Sequence, residues 1–375
     1  MRISLIFLLA VVCCWAKGTL AQDLVQLKST LNTNGKLASV AFSPDGKLVA
    51  AMAGRSTTAW LWDTSTGLLE TTLSGRGPDY LIGNEILGGI GGRSDVSFSP
   101  DGNSLLVVAR EAREVRLWNL QIGKQSMILA NLQTLSEAAF SPDGRLLALA
   151  AGLQGLQVLD LGTGKLVKTT WEIKDVLAVW RVKFSQDGST LLSWIEARNE
   201  KSGYCLLDVY TGSLKATIWG TKHNDIKGKM SPDGQVIVTF DKSNIVNLWD
   251  IPSGQLKRTI SGIEGQIYNL SISPDNKTLA IINGKVVQLY DSKSGELRIK
   301  LLGLQEIPSF SIFSPDGRIL ITEDKKGIKM WDTITGVLKQ SLGEATSPLC
   351  FSSDGSLLLT AGKNKNASLW QVLLK

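Results

Sequence analysis

Short apolar runs alternate with polar turns along most of this chain, and the turns are alike. Leu37 to Phe42 and Leu48 to Ala53 bracket Ser43-Pro44-Asp45-Gly46, a segment in which Pro presets φ, Asp tolerates the next position and Gly supplies the positive φ that follows. The pattern predicts a pair of strands folded back as a hairpin. Counting from its leading residue, the same block begins at Phe42, Phe98, Phe140, Phe184, Met230, Ile272, Phe313 and Phe351, with gaps of 56, 42, 44, 46, 42, 41 and 38 residues. A period near 42 residues marks a repeat architecture.

A second marker follows each block: an aromatic or aliphatic residue, usually an Asp, then a turn closing on Thr-Gly or Ser-Gly. It reads WDTSTG at Trp62, LDLGTG at Leu159, LDVYTG at Leu207, WDIPSG at Trp249, YDSKSG at Tyr290 and WDTITG at Trp331, with a worn form, WNLQIG, at Trp118. Two turns per unit predict four strands, a to d.

These blocks and closing turns resemble the WD-repeat β-propeller family over nearly all of residues 22–375. The resemblance implies an all-β fold, a single propeller of four-stranded antiparallel blades. The family's Gly-His pair is missing, since the only histidine, His223, lies in GTKH before blade 5. Leu159, Leu207 and Tyr290 replace Trp, so blades 3, 4 and 6 are expected to pack by apolar contact.

Strand counting predicts eight blades. Seven closing turns are followed by a d strand, whereas Trp370 is followed only by QVLLK; an orphan strand, Leu24 to Leu31, precedes the first unit. Placed as strand d of the last blade, it closes the ring and removes the exposed edges. The alternative is seven blades with one worn unit outside the ring.

Residues 1–21 have Arg2, an apolar core from Ile3 to Val12 and small residues ending at Ala21, which is a secretory signal pattern. Cys13 and Cys14 do not make it a lipoprotein signal, because Val12 or Cys13 stands where a small residue is needed. The expectation is an exported protein, periplasmic or extracellular, with no membrane anchor after cleavage. Arg2 and Lys17 leave with the signal, so 38 of the 40 basic residues face 34 acidic ones. With those charges scattered and no basic block, nucleic acid is not an expected partner. Cys205 and Cys350 fall in opposite blades, too far apart for a disulfide. Of the sequons at Asn269, Asn276 and Asn366, the first lies within a strand.

One histidine leaves no zinc constellation and no Ser-His-Asp arrangement, and no Gly-rich loop precedes a helix. No cofactor or metal is expected. DLGTGK, Asp160 to Lys165, is similar to the turn of eight-bladed quinoprotein dehydrogenases, but Lys168 stands where those repeats carry a Trp.

The a to b and c to d turns leave one end of the ring and are stereotyped. The opposite end carries the d to a and b to c connections, where irregular residues collect, and loops on a rigid scaffold are the usual carriers of function. There lie the insertion 76–93, with Tyr80, and a widened b to c link, 195–203, with Arg198. Trp171 ends strand d of blade 3 and Trp219 strand d of blade 4. Trp180 and Tyr268 stand four residues before their blocks, where most blades have Ala or Ser. Aromatic residues at a rim are anchors for partners. Trp171, Trp180, Trp219, Tyr268, Tyr80 and Arg198 are thus the candidate binding residues of a monomeric, non-enzymatic scaffold for a protein or peptide. The alternative is a small-ligand or carbohydrate binder or hydrolase using the same rim, or a quinoprotein-like enzyme; converging carboxylates under the aromatics would favour a hydrolase.

Overall fold

The computed structural model describes residues 24–33, 35–53, 56–74, 95–110, 112–129, 134–168, 175–198, 201–220, 226–343, 345–362 and 366–373. The expected signal segment, the insertion 76–93 with Tyr80, Trp171 and His223 lie outside them.

Among the described residues, thirty-two strands form eight four-stranded antiparallel sheets. Blades 1 to 7 take consecutive strands, spanning 37–73, 95–129, 137–168, 176–219, 227–260, 267–301 and 310–342. Blade 8 takes three strands from 345–372, and its fourth is Val25–Leu31, which pairs antiparallel with Ala367–Val372. Eight blades and closure by the early strand are both as the repeat pattern implied. Gln340 of blade 7 also grips that strand, its Oε1 accepting from the Val25 amide at 2.9 Å and its Nε2 donating to the Val25 carbonyl at 3.2 Å.

The serine that opens each first turn is its buried hinge. Ser43 Oγ donates to Asp45 Oδ1 at 2.7 Å and accepts the Leu48 amide at 2.9 Å, while the Gly46 amide reaches the Ser43 carbonyl. All eight blades repeat this, with Ser99, Ser141, Ser185, Ser231, Ser273, Ser314 and Ser352 accepting an amide five residues on. The left-handed position is Gly in seven turns and Asn276, at φ 57°, in blade 6. Asn tolerates that region better than other side chains.

Core side chains gather between blades. Eight apolar clusters each join two successive blades, so every blade leans on both neighbours. The strand c tryptophans pack toward the preceding blade: Trp62 against blade 8, Trp118 against blade 1, Trp249 against blade 4, Trp331 against blade 6 and Trp370 against blade 7. In blades 5, 7 and 8 the indole also donates to a threonine on strand b, Thr239, Thr322 or Thr360, at 2.9 to 3.0 Å. Blades 1 and 2 have Ala51 and Val107 at that register, and the buried Trp118 Nε1 has no partner. Leu159 and Leu207 pack by apolar contact as expected. Tyr290 packs likewise between blades 5 and 6, and its hydroxyl also donates to Gln288 Oε1 at 3.1 Å.

Strand a of one blade touches strand a of the next, so these strands surround the axis and strand d forms the perimeter. The antiparallel order puts the a to b and c to d turns at one end and the other connections at the opposite end.

Candidate functional site

Blade 4 stands out at the end that carries the d to a and b to c connections. Its strand a, Val176–Phe184, and strand b, Thr190–Ala197, share seven register pairs, where the equivalent strands of blades 3 and 5 share four. Three more pairs carry the ladder about 10 Å further. The link expected over 195–203 is therefore mostly strand: Ile195 pairs with Gly203 and Glu196 with Ser202. Periodicity alone missed this, because the charged run Glu196 to Lys201 reads as a solvated loop. Two contacts brace the extension. Gly152, at the tip of blade 3, exchanges both backbone hydrogen bonds with Val179 at 2.9 Å, and the Arg198 amide donates to the Asp175 carbonyl.

The candidate aromatics fall on this end but do not form one cluster. Trp180, on the innermost strand, is half-buried, and its Nε1 donates to Glu196 Oε2 at 3.1 Å. Trp219 ends strand d, on the perimeter, and 37% of it is exposed. Its ring lies over Gly203, where a Cβ would come within 3.0 Å of Trp219 Cε3. Four strands in register put Trp180 and Trp219 at one level, roughly three strand spacings or about 14 Å apart. Tyr268 sits on the innermost strand of blade 6, 41% exposed, with blade 5 between it and Trp180. Arg198 is exposed at the hairpin tip.

The channel wall carries a division of charge that the sequence reading took for scatter. In blade 4, Arg181 and Lys183 alternate along the innermost strand; in blade 5, Lys227 and Lys229 take the equivalent places. Arg181, Lys183 and Lys227 are exposed, whereas Lys229 is half-buried with its Nζ 5.4 Å from the centre of the Phe310 ring in blade 7. Burial, then repulsion from Lys183 and Arg181, bring the Lys229 ammonium down to about 8. Between them the Gly228 carbonyl accepts the Tyr204 hydroxyl at 3.1 Å, and a Cβ at Gly228 would meet that ring at 3.0 Å. Aligning the repeats on their turn blocks would have revealed the signal, since in no other blade are both of these positions basic.

Blades 2 and 3 supply acids at the same level. Asp95 accepts Ser39 Oγ and the Val96 amide, and Glu137 accepts the Val182 amide at 3.1 Å, so each ties innermost strands together. Burial pushes the Glu137 carboxyl up, against the pull of Lys183 and Arg181. Burial likewise lowers Arg110, although Asp95 and Glu137 oppose it. Among the described residues no three His, Cys, Asp or Glu side chains gather where a metal ion could be held.

At the opposite end the turn carboxylates are committed. Asp63 accepts the side chain of Ser65 and the amide and hydroxyl of Thr66, and these bonds pull it down to about 2. Asp160, Asp208 and Asp291 are lowered, first of all, by the equivalent amide.

Comparison with known proteins agrees with this architecture. The family model for the WD domain, G-beta repeat, matches residues 25–63 and 349–371, the segments that meet where the ring closes. The WD repeat-containing protein AAC3 of Dictyostelium discoideum is 25% identical over 169 residues, covering 44% of this chain and 35% of that protein. Eukaryotic translation initiation factor 3 subunit I of Emericella nidulans is 27% identical over 195 residues, with 48% and 56% covered. Autophagy-related protein 16 of Arabidopsis thaliana is 25% identical over 259 residues, with 68% and 47% covered. The chain thus spans about a third to a little over half the length of these relatives. Among solved structures, the computationally designed Ika8 protein superposes with a TM-score of 0.68 at 20% identity, over 94% of this chain and all of that one, a likeness of fold alone.

Proposed function

We propose that this chain, a WD-repeat β-propeller, is an exported, non-enzymatic scaffold that holds a protein or peptide partner on the end bearing the d to a and b to c connections. The observation that carries this reading is blade 4, where the extended hairpin presents Trp180 beside the channel mouth, Arg198 at its tip and Trp219 on the outer edge of the same end. A braced hairpin presenting aromatic side chains limits the conformational entropy lost on binding. The turns of the other end spend their serines and aspartates on their own backbone, which suits folding more than recognition. Export is supported by the composition of residues 1–21. A partner-holding role is in keeping with a relative named as a subunit of a larger factor.

The experiment is a capture comparison with the immobilised protein and the partner it retains. Trp180→Ala, Trp219→Ala and Tyr268→Ala should each weaken capture by roughly 1 to 4 kcal/mol, the range for buried interface anchors. Lys47→Glu and Lys165→Glu, on the opposite end, should leave it intact. If the lysine changes abolish capture and the aromatic changes do not, the wrong end has been assigned. Mature protein should begin near Gln22, and N-terminal sequencing that returned Met1 from exported material would refute the cleavage.

A further inference from the structure

None of the four basic side chains on the innermost strands of blades 4 and 5 forms an ion pair within 4 Å among the described residues, although the buried Glu137 feels the charges of Lys183 and Arg181. Structural arginines and lysines elsewhere in this protein face carboxylates: Lys329 meets Asp324 at 2.5 Å, Lys257 meets Asp250 at 2.5 Å and Lys215 meets Asp208 at 3.4 Å. Lys229 differs, since the charges acting on it come from Lys183 and Arg181, both of its own sign, and its nearest compensation is the face of Phe310. A ring face offers an ammonium much less than a carboxylate does. Asp95 and Glu137, on the adjacent innermost strands of blades 2 and 3, already accept hydrogen bonds that join neighbouring blades.

We propose that the channel wall formed by the innermost strands of blades 4 and 5 is an anion-binding site for an extended, carboxylate-rich peptide segment, with Arg181, Lys183, Lys227 and Lys229 as its cationic contacts and Phe310 as its apolar floor. The spacing argues for a peptide. Arg181 and Lys183, like Lys227 and Lys229, stand two residues apart on regular strands, a repeat of about 7 Å, and alternate carboxylates of an extended acidic peptide repeat at the same interval. Like charges held close together around the half-buried Lys229 cost free energy that an anion would offset, so this wall favours negative charge. The pairs run from the mouth inward, Arg181 and Lys227 being nearer the connections and Lys183 and Lys229 nearer the turns. A segment entering from the mouth meets all four.

This inference rests on the reading that the partner approaches the end with the irregular connections, and names the chemistry of the part that enters. Its test is separate from the capture comparison: titration of the purified protein with an acetylated hexaglutamate peptide, followed by calorimetry, with inorganic tripolyphosphate as a second arm. Binding should appear at low ionic strength and weaken at least tenfold as salt rises from about 20 to about 300 mM. Lys183→Ala/Lys229→Ala should lower affinity at least tenfold while the near-ultraviolet circular dichroism spectrum stays that of the parent. Lys47→Ala/Lys165→Ala, which removes as much charge from the opposite end, should bind as the parent does. No binding at low salt, equal loss in both double variants, or tripolyphosphate binding more tightly than the peptide would overturn the proposal. Aromatic variants that lose partner capture alongside a parent that ignores hexaglutamate would overturn this inference alone. Hexaglutamate bound through the lysines, with aromatic variants that capture normally, would instead overturn the assignment of the rim aromatics.

Discussion

Replacing Lys229 with methionine should make the protein more stable at neutral pH, although it removes a cation–π contact. The Lys229 ammonium falls from 10.5 to about 8, first through burial and then through Lys183 and Arg181. Each unit of such a fall corresponds to about 1.4 kcal/mol by which folding disfavours the charged form. The full fall would correspond to roughly 3 kcal/mol. Partial exposure of the side chain lets water screen the repulsion, and loss of the contact with Phe310 returns up to about 1 kcal/mol, so the expected gain is about 1 to 2 kcal/mol. The sign of the pH dependence follows from where the protons are. Between about 8 and 10.5 the unfolded chain binds the Lys229 proton and the folded one releases it, so the parent gains stability as pH rises through this window. The advantage of Lys229→Met should be fully present below about pH 8 and gone by about pH 10.5. Urea denaturation of both proteins at closely spaced pH values between 6 and 11 measures the gap. A variant less stable than the parent at pH 7, or a gap that does not narrow on going alkaline, would refute the account of Lys229 as an uncompensated charge.

Further outcomes follow from the rest of the ring. Deleting residues 23–31 removes the buried Val25 and Leu31 with the ladder to Ala367–Val372, and should cost about 3 to 6 kcal/mol in calorimetric or urea unfolding; an unchanged midpoint would contradict closure by that strand. Loss of hydration pushes the thiols of the buried Cys205 and the half-buried Cys350 up to about 12, so at pH 8 both should react slowly with an alkylating reagent in the folded protein, Cys205 the slower, and react readily after denaturation, as peptide mapping would report. The turn aspartates, lowered in the folded state, contribute stability above the unfolded carboxylate value near 3.9 that is lost as pH falls through their folded values. Unfolding midpoints should thus hold steady down to about pH 4.5 and drop between about 4 and 2; no such drop would mean the Asp turns add nothing.

Much of the fold was legible because a propeller writes its geometry into short-range chemistry. Each first turn needs a residue that accepts positive φ, and the closing turns need a short side-chain oxygen to accept following amides, Asp in most and Asn119 in blade 2, so both leave recurring residue types at a fixed interval. Closure could be read from a strand with no partner in its own unit. The hairpin extension of blade 4 could not, because Glu196 to Lys201 alternates no apolar residues and the extra pairing is held by Gly152 and Asp175 from elsewhere. Tertiary neighbours decided that region, not its own periodicity. The candidate aromatics were individually visible in the sequence, but their separation was not: a strand d residue and a strand a residue at one level still stand on opposite edges of a blade.

Charge was misjudged for a related reason. A linear scan weighs neighbours along the chain, and Arg181 and Lys229 are separated by a whole repeat. In a propeller the meaningful neighbour is the residue one period away, since innermost strands meet around the axis. Read along that direction, the channel has an acidic arc at Asp95 and Glu137 and a basic arc at Arg181, Lys183, Lys227 and Lys229. The acids join strands, and Glu137 also feels Lys183 and Arg181, whereas Lys229 meets charges only of its own sign. Net charge near balance thus hides a channel whose acidic and basic arcs lie side by side, blades 2 and 3 next to blades 4 and 5, and the proposed preference for the basic arc would set which side of an extended segment faces blades 4 and 5. Specificity of this kind comes from the arrangement of repeats around a ring, and remains invisible to composition however accurately the charges are counted.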